Sequence, residues 1–269
     1  MDNRAIGVFD SGLGGLTAVK QLMRQLPNED IIYFGDTGRV PYGTRSVDTI
    51  IKYVSGDIRF LQTFDIKMIV VACGTASAVA LPMLGDDIQM PCIGVLEAAC
   101  KSAVAASKNG KIGILGTPST IASGAYDKII MQLDADSTIY SAACPLFVPL
   151  VENGHTHSQV ARLIAEEYLE NIIPHGVGSL ILGCTHYPLL KDVICDIMGK
   201  EVQLIDVGEE AARSVAEFLG DSDMLTSRDS GGTCRYYVSD TADNFEKLGS
   251  VFLEQQIKGL VKKIDIEKY

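Results

Sequence analysis

Short runs of apolar and β-branched residues recur along the chain, and longer stretches with apolar residues every three or four positions lie between them. The runs are 5–9 "AIGVF", 31–34 "IIYF", 68–72 "MIVVA", 112–115 "IGIL", 179–182 "SLIL" and 202–205 "VQLI". Their length and β-branched content read as strands. After the first run, Leu16, Val19, Met23 and Leu26 fall at helical spacing and Pro27 closes the segment. Ile50, Val54, Ile58 and Leu61 share one face of a second helix. Strands alternating with helices predict βαβ units, mainly parallel sheets and an α/β fold.

Two strand ends resemble each other. "MIVVACGTASAVALP" and "SLILGCTHYPLL" each run from an apolar strand into a cysteine, with a threonine within two residues. The cysteines lie 111 residues apart, about one domain length. A chain of 269 residues can hold two modest domains. We therefore expect two similar α/β domains, residues 1–97 plus a C-terminal return of 208–269, and residues 98–207. In open α/β sheets ligands bind beyond the carboxyl ends of strands. If the halves face each other, Cys73 and Cys184 face one ligand in the cleft between them.

The formal charge of −11, without a Lys/Arg cluster, argues against nucleic acid as a partner, because a phosphate backbone calls for a basic footprint. A small anionic substrate is still compatible, since local N–H groups and hydroxyls can hold it. The seven cysteines form no Cys-x-x-Cys pair and are odd in number, which fits a reducing, cytoplasmic setting better than a disulfide framework. The opening "MDNRAIGVFD" carries charges where an export signal needs an apolar core. Residues 68–85, "MIVVACGTASAVALPMLG", are uncharged and approach membrane-spanning length. Their strand-then-helix pattern and their Gly, Thr, Ser and Pro content favour a buried segment, so no membrane partner is expected.

The candidate chemistry sits at strand ends. "DSGLGG" at 10–15 follows a strand and opens a helix, and Gly12 and Gly14 match the first two glycines of the dinucleotide fingerprint. Asp36 lies near the ribose-binding position, but Thr17 replaces the third glycine and Asp10 would repel a pyrophosphate. The loop is then either a plain tight turn or a site in which Asp10 and Ser11 meet a small ligand. Free cysteines commonly act as small buried hydrophobes, and Cys92, Cys100, Cys144, Cys195 and Cys234 are read that way. Cys73 and Cys184 each precede an expected helix start, where N–H groups and the helix dipole favour thiolate. His186 stands two residues from Cys184, as a proton-transfer partner or a structural histidine. No second pair at zinc spacing accompanies them, so no metal is expected. "PYG" at 41–43 is a turn whose Tyr42 and Gly43 backbone can line a pocket. Glu152 ends the apolar "FVPLVENG", either as a pKa-shifted carboxylate or as a solvated loop residue.

Taken together, "GVFDSGLGGLTAV", "YFGDTGRVPYG", "VVACGTASA", "CPLFVPLVENG" and "LILGCTHYPLL" resemble the glutamate racemases of the cofactor-independent aspartate/glutamate racemase family, in the family's order and over most of residues 5–190. The resemblance implies interconversion of L- and D-glutamate by two cysteines on opposite faces of the substrate, with no cofactor, in a homodimer that supplies D-glutamate for peptidoglycan. By motif, Cys73 and Cys184 are the acid/base pair, Asp10 assists Cys73, and Glu152 and His186 assist Cys184 or the substrate ammonium. Asp10, Ser11, Tyr42, Gly43, Gly74, Thr75, Thr185 and His186 would hold the substrate. One departure is Gly74, where the family usually has asparagine; the missing amide removes a hydrogen bond worth on the order of 1 kcal/mol. An aspartate or hydantoin racemase, or a glutamate-binding regulatory protein without turnover, are the alternatives.

Overall fold

The computed structural model describes residues 1–84 and 88–269. Its strands are β1 (Ala5–Asp10), β2 (Ile31–Gly35), β3 (Ile66–Val71), β4 (Cys92–Gly94), β5 (Lys111–Gly116), β6 (Thr138–Ala143), β7 (Ser179–Leu182), β8 (Gln203–Asp206), β9 (Cys234–Val238) and β10 (Val261–Lys263). They form a six-stranded sheet in the order β10-β9-β2-β1-β3-β4 and a four-stranded sheet in the order β6-β5-β7-β8. The strand pairs are parallel throughout. Each parallel crossover is carried by helix and loop, as the alternating pattern predicts.

Every residue of β1, β2, β3 and β7 is buried, which accounts for their largely apolar sequences, with Asp10 at the end of β1 and Lys67 near the start of β3 as the charged exceptions. Helix Leu16–Gln25 buries Leu16, Val19 and Leu22, and Leu26 caps it before Pro27. Helix Val47–Leu61 buries Ile50, Val54, Ile58 and Leu61. Its N-cap, Ser46, accepts the Thr49 N–H at 3.4 Å, satisfying one of the donors that a helix start leaves free. Helix Val207–Asp221 begins at Asp206, whose carboxylate accepts the N–H groups of Gly208 and Glu209. It packs between helices Leu16–Gln25 and Leu96–Ala106. Leu16 and Val19 of the first helix, Val215 of this one and Leu182 of β7 belong to one hydrophobic core that spans both sheets.

Each sheet has a switch point where successive crossovers leave a strand in opposite directions. In the larger sheet β1 is flanked by β2 and β3; in the smaller, β5 is flanked by β6 and β7. Such points open a crevice at the carboxyl ends of the strands. Cys73 follows β3 and Cys184 follows β7, so both thiols lie at these crevices.

Sequence periodicity misses β4, β6, β9 and β10. In residues 68–84, β3 leads to the short helices Gly74–Val79 and Leu81–Leu84; Gly85, the last residue of the uncharged run, lies outside the described residues. No helix among the described residues is long and apolar enough to cross a membrane.

Candidate active site

Loops from both sheets surround one cavity of about 250 Å³. Ser11 and Gly12 enter from the end of β1, residues 40–44 from β2, Cys73, Gly74 and Thr75 from β3, Thr117 from β5, Cys144 and Glu152 from the segment after β6, and Cys184, Thr185 and His186 from β7. Of the residues expected at the site, Asp10 alone stands outside this lining, one layer behind it.

Cys73 is 5% exposed and caps helix Gly74–Val79. Its sulfur accepts the Ala76 N–H at 3.4 Å and lies 3.6 Å from Ser11 Oγ. The expectation that a helix start depresses this thiol fails. Burial first, and then the charge of Asp10, push Cys73 up to about 12, and the Ala76 and Ser11 hydrogen bonds offset only part of that rise. Cys184 departs from expectation differently. No α-helix starts beside it; the chain passes into a 3-10 turn, Tyr187–Leu190. Its partner is His186, with Nδ1 3.8 Å from the sulfur.

The far side of that imidazole meets Glu152, Nε2 to Oε1 at 3.0 Å. Burial disfavours a charged ring, but the hydrogen bonds to Cys184 and Glu152 outweigh it and raise His186 to about 10. A carboxylate, an imidazolium and a sulfur are thus linked through the two ring nitrogens of His186. Asp10 serves the other side. Its Oδ2 accepts the Gly12 N–H at 2.9 Å and its Oδ1 accepts Thr185 Oγ1 at 3.5 Å. Among the described residues it makes no hydrogen bond to Cys73 and acts on that thiol through its charge.

The hydroxyls are arranged in ways that sequence leaves open. Tyr42 lines the cavity, but its hydroxyl turns away from it toward Asp36 and Asp57. Thr75 Oγ1 meets the hydroxyls of Thr117 at 2.9 Å and Thr120 at 3.2 Å. Thr17, the residue that breaks the dinucleotide fingerprint, bonds through Oγ1 to the Thr185 carbonyl at 2.9 Å and so joins the two sheets. Asp36 pairs with Arg39 in a dry cluster, which rules it out as a ribose ligand. Thr117 and Cys144 escape sequence reasoning. The one signal for Thr117 is its place just past the strand "IGIL", whereas Cys144 looks like any buried thiol.

Two glycines are required by close approach. A Cβ on Gly14 would overlap Thr185 Oγ1 and His186 Nδ1, and one on Gly74 would overlap the Gly183 carbonyl oxygen across the cleft. The position at which the family usually has asparagine therefore lets the two cysteine-bearing loops meet backbone to backbone. Gly74→Ala is expected to strain this contact by about 1–3 kcal/mol. Turnover should fall while the far-ultraviolet circular dichroism is retained; parent-level turnover would show that the loops separate freely. Among the described residues, no group of three His, Cys, Asp or Glu side chains could hold a metal ion.

Two parallel α/β sheets with a thiol from each at a shared cleft define a racemase-type enzyme architecture. The model of the Asp/Glu/Hydantoin racemase family matches residues 9–215, and the chain belongs to this family. It is 46% identical over 264 residues to a glutamate racemase of Geobacter metallireducens, covering 98% of this chain and 97% of that protein. The structure is similar to that of glutamate racemase isoform RacE1 from Bacillus anthracis, with a TM-score of 0.95 at 36% identity over 98% of both chains. It is also similar to the glutamate racemase of Francisella tularensis subsp. tularensis SCHU S4 solved in complex with D-glutamate, with a TM-score of 0.92 at 38% identity over the whole of both chains.

Proposed function

We propose that this racemase interconverts L- and D-glutamate by a two-base mechanism in which Cys73 and Cys184 act from opposite faces of the substrate. The observation that carries the reading is that both cysteines line one cavity, each from a different sheet and each with its own helpers. The relatives named above, glutamate racemases at 36–46% identity, support the substrate assignment.

In the forward direction the Cys184 thiolate, stabilised by the His186 imidazolium, removes the Cα proton, and its C–H electron pair moves into the adjacent carboxylate. The Cys73 thiol then returns a proton to Cα from the other face, leaving Cys184 as thiol and Cys73 as thiolate. The reverse direction exchanges these roles. Charge accumulates on a carboxylate that is already anionic, so fixed donors must meet it. The N–H groups of Gly74 and Thr75 stand in the first turn of a helix, where no intrahelical acceptor reaches them. With the Ser11 and Thr185 hydroxyls they are the donors we assign. Glu152, which lines the cavity beside His186, is the negative group we assign to the substrate ammonium.

Residues 1–97 with 208–269, and 98–207, are then the two domains that clasp the substrate. The seven free cysteines support a cytoplasmic location. A homodimer supplying D-glutamate for peptidoglycan follows from the family resemblance alone.

Optical activity of either pure glutamate enantiomer should decay to zero with this protein and no added cofactor. Persistence of the signal at high enzyme concentration sinks the reading. Faster decay with aspartate moves the assignment to the aspartate branch of the family.

A further inference from the structure

Beneath the Pro41–Gly43 wall of the cavity lies a buried charge cluster that the proton-transfer chemistry leaves unused. Asp36 and Asp57 have no exposed surface. Between them sits Arg39, whose Nε donates to Asp36 Oδ2 at 2.6 Å and whose Nη2 donates to Asp57 Oδ1 at 2.7 Å. The Tyr42 hydroxyl is within hydrogen-bond range of Asp36 Oδ2 and 2.9 Å from Asp57 Oδ2.

Counting protons assigns the states. A phenol carries one hydrogen and here has two carboxyl oxygens in range, so one of the two contacts needs a proton of its own. Asp36 is the better supplied with donors, because Ser239 Oγ also donates to it at 2.7 Å. Asp57 meets only Arg39 and Tyr42 among the described residues. The extra proton therefore belongs on Asp57, which donates to the Tyr42 oxygen while Tyr42 donates to Asp36. Burial, followed by the charge of Asp36, holds Asp57 well above the usual carboxylate range against the pull of Arg39. The remaining groups facing the cluster are consistent with this. Glu267, 3.8 Å from Arg39 Nη1, and Asp10, which acts on Asp57 at longer range, add negative charge. The Tyr53 ring stacks on the Arg39 guanidinium at 4.4 Å.

We propose that Asp57, held as a neutral acid, is a positioning residue for the substrate. Through Tyr42 it clamps the Pro41–Gly43 backbone that forms one wall of the cavity. Gly43 in turn accepts the Ser119 hydroxyl at 2.8 Å, so the clamp reaches the loop after β5 on the opposite side of the cleft. Ionised, Asp57 would place two carboxylates against one phenol in a dry site, and the wall would lose its anchor. The kinetic part of this inference rests on the glutamate racemase reading; the proton on Asp57 does not.

Asp57→Asn preserves an N–H donor toward Tyr42 and an acceptor for Arg39 but cannot ionise. Its KM for glutamate should stay within about twofold of the parent at neutral pH, and the alkaline rise of the parent's KM should be absent. Asp57→Ala, which removes the donor, should raise KM by roughly tenfold, the equivalent of one lost hydrogen bond, with kcat changed much less. A substrate-free arm uses urea unfolding against pH. Because the folded state raises Asp57 above its unfolded value, its contribution is complete below the ordinary carboxylate range and is lost as pH rises through the folded value. The Asn variant should therefore lose stability less steeply than the parent as pH rises from the ordinary carboxylate range toward the folded value of Asp57. An Asn variant with tenfold raised KM, or with the parent's dependence of stability on pH, overturns the proposal, and the Asn variant decides even if the Ala variant does not fold. Absence of glutamate turnover in the parent overturns the substrate reading instead, and the unfolding arm still tests the proton.

Discussion

Serine in place of either Cys73 or Cys184 is expected to lower racemisation in both directions by about 10²–10⁴-fold, the usual contribution of one positioned acid or base. Each turnover needs a base on one face of Cα and an acid on the other, so losing one thiol blocks both directions. The remaining thiol can still exchange the Cα proton of one enantiomer without inverting it. In deuterated water, each variant should therefore wash deuterium into a single enantiomer, with the two variants choosing opposite ones. The environments of the thiols add an asymmetry. Cys73, pushed up to about 12 by burial and then by Asp10, rests as the protonated acid at neutral pH. Cys184 instead has the His186 imidazole as its neighbour, with Nδ1 3.8 Å from the sulfur. The direction that uses Cys73 as base should thus gain from rising pH. Full two-way activity in either serine variant would overturn the two-base assignment.

Much of this arrangement is legible in the chain, and the illegible parts share physical causes. The six strands read from apolar runs are those that carry the buried sheet interiors. The four that are missed are short or part-exposed. β4 and β10 have three residues each, β6 is largely half-exposed or exposed along an edge, and β9 carries Arg235. The cysteine junctions are visible because a strand end beside a switch point is a local feature. The direction of the Tyr42 hydroxyl is not local, since its partner Asp57 lies on a helix 15 residues further along. Likewise the state of Cys73 depends on burial between two sheets, so a helix start alone misjudges it. Asp36 matched a ribose-binding position by spacing, but Arg39, three residues on, already occupies its carboxylate.

Lys67→Met is expected to cost about 3–5 kcal/mol of stability, because it strands a buried carboxylate. Lys67 and Glu29 form an ion pair at 2.6 Å with side chains 0% and 1% exposed. The ammonium spends its three protons on Glu29 Oε2, the Asp2 carbonyl at 2.9 Å and the Met224 carbonyl at 2.8 Å. Glu29 Oε1 accepts the Thr226 N–H at 2.8 Å. The pair therefore ties the amino terminus, the turn before β2 and residues 224–226 to the start of β3. Removing both charges should cost less than removing one, so Lys67→Met combined with Glu29→Leu should recover part of the loss in urea unfolding. A single variant as stable as the parent would show that water reaches Glu29. Lys67 lies near the start of β3 and Cys73 two residues past its end, about 20 Å apart at the rise of a parallel strand. Below its unfolding transition the single variant should accordingly keep the parent's kcat, since the end of β3 that anchors the sheet is remote from the end that presents the thiol.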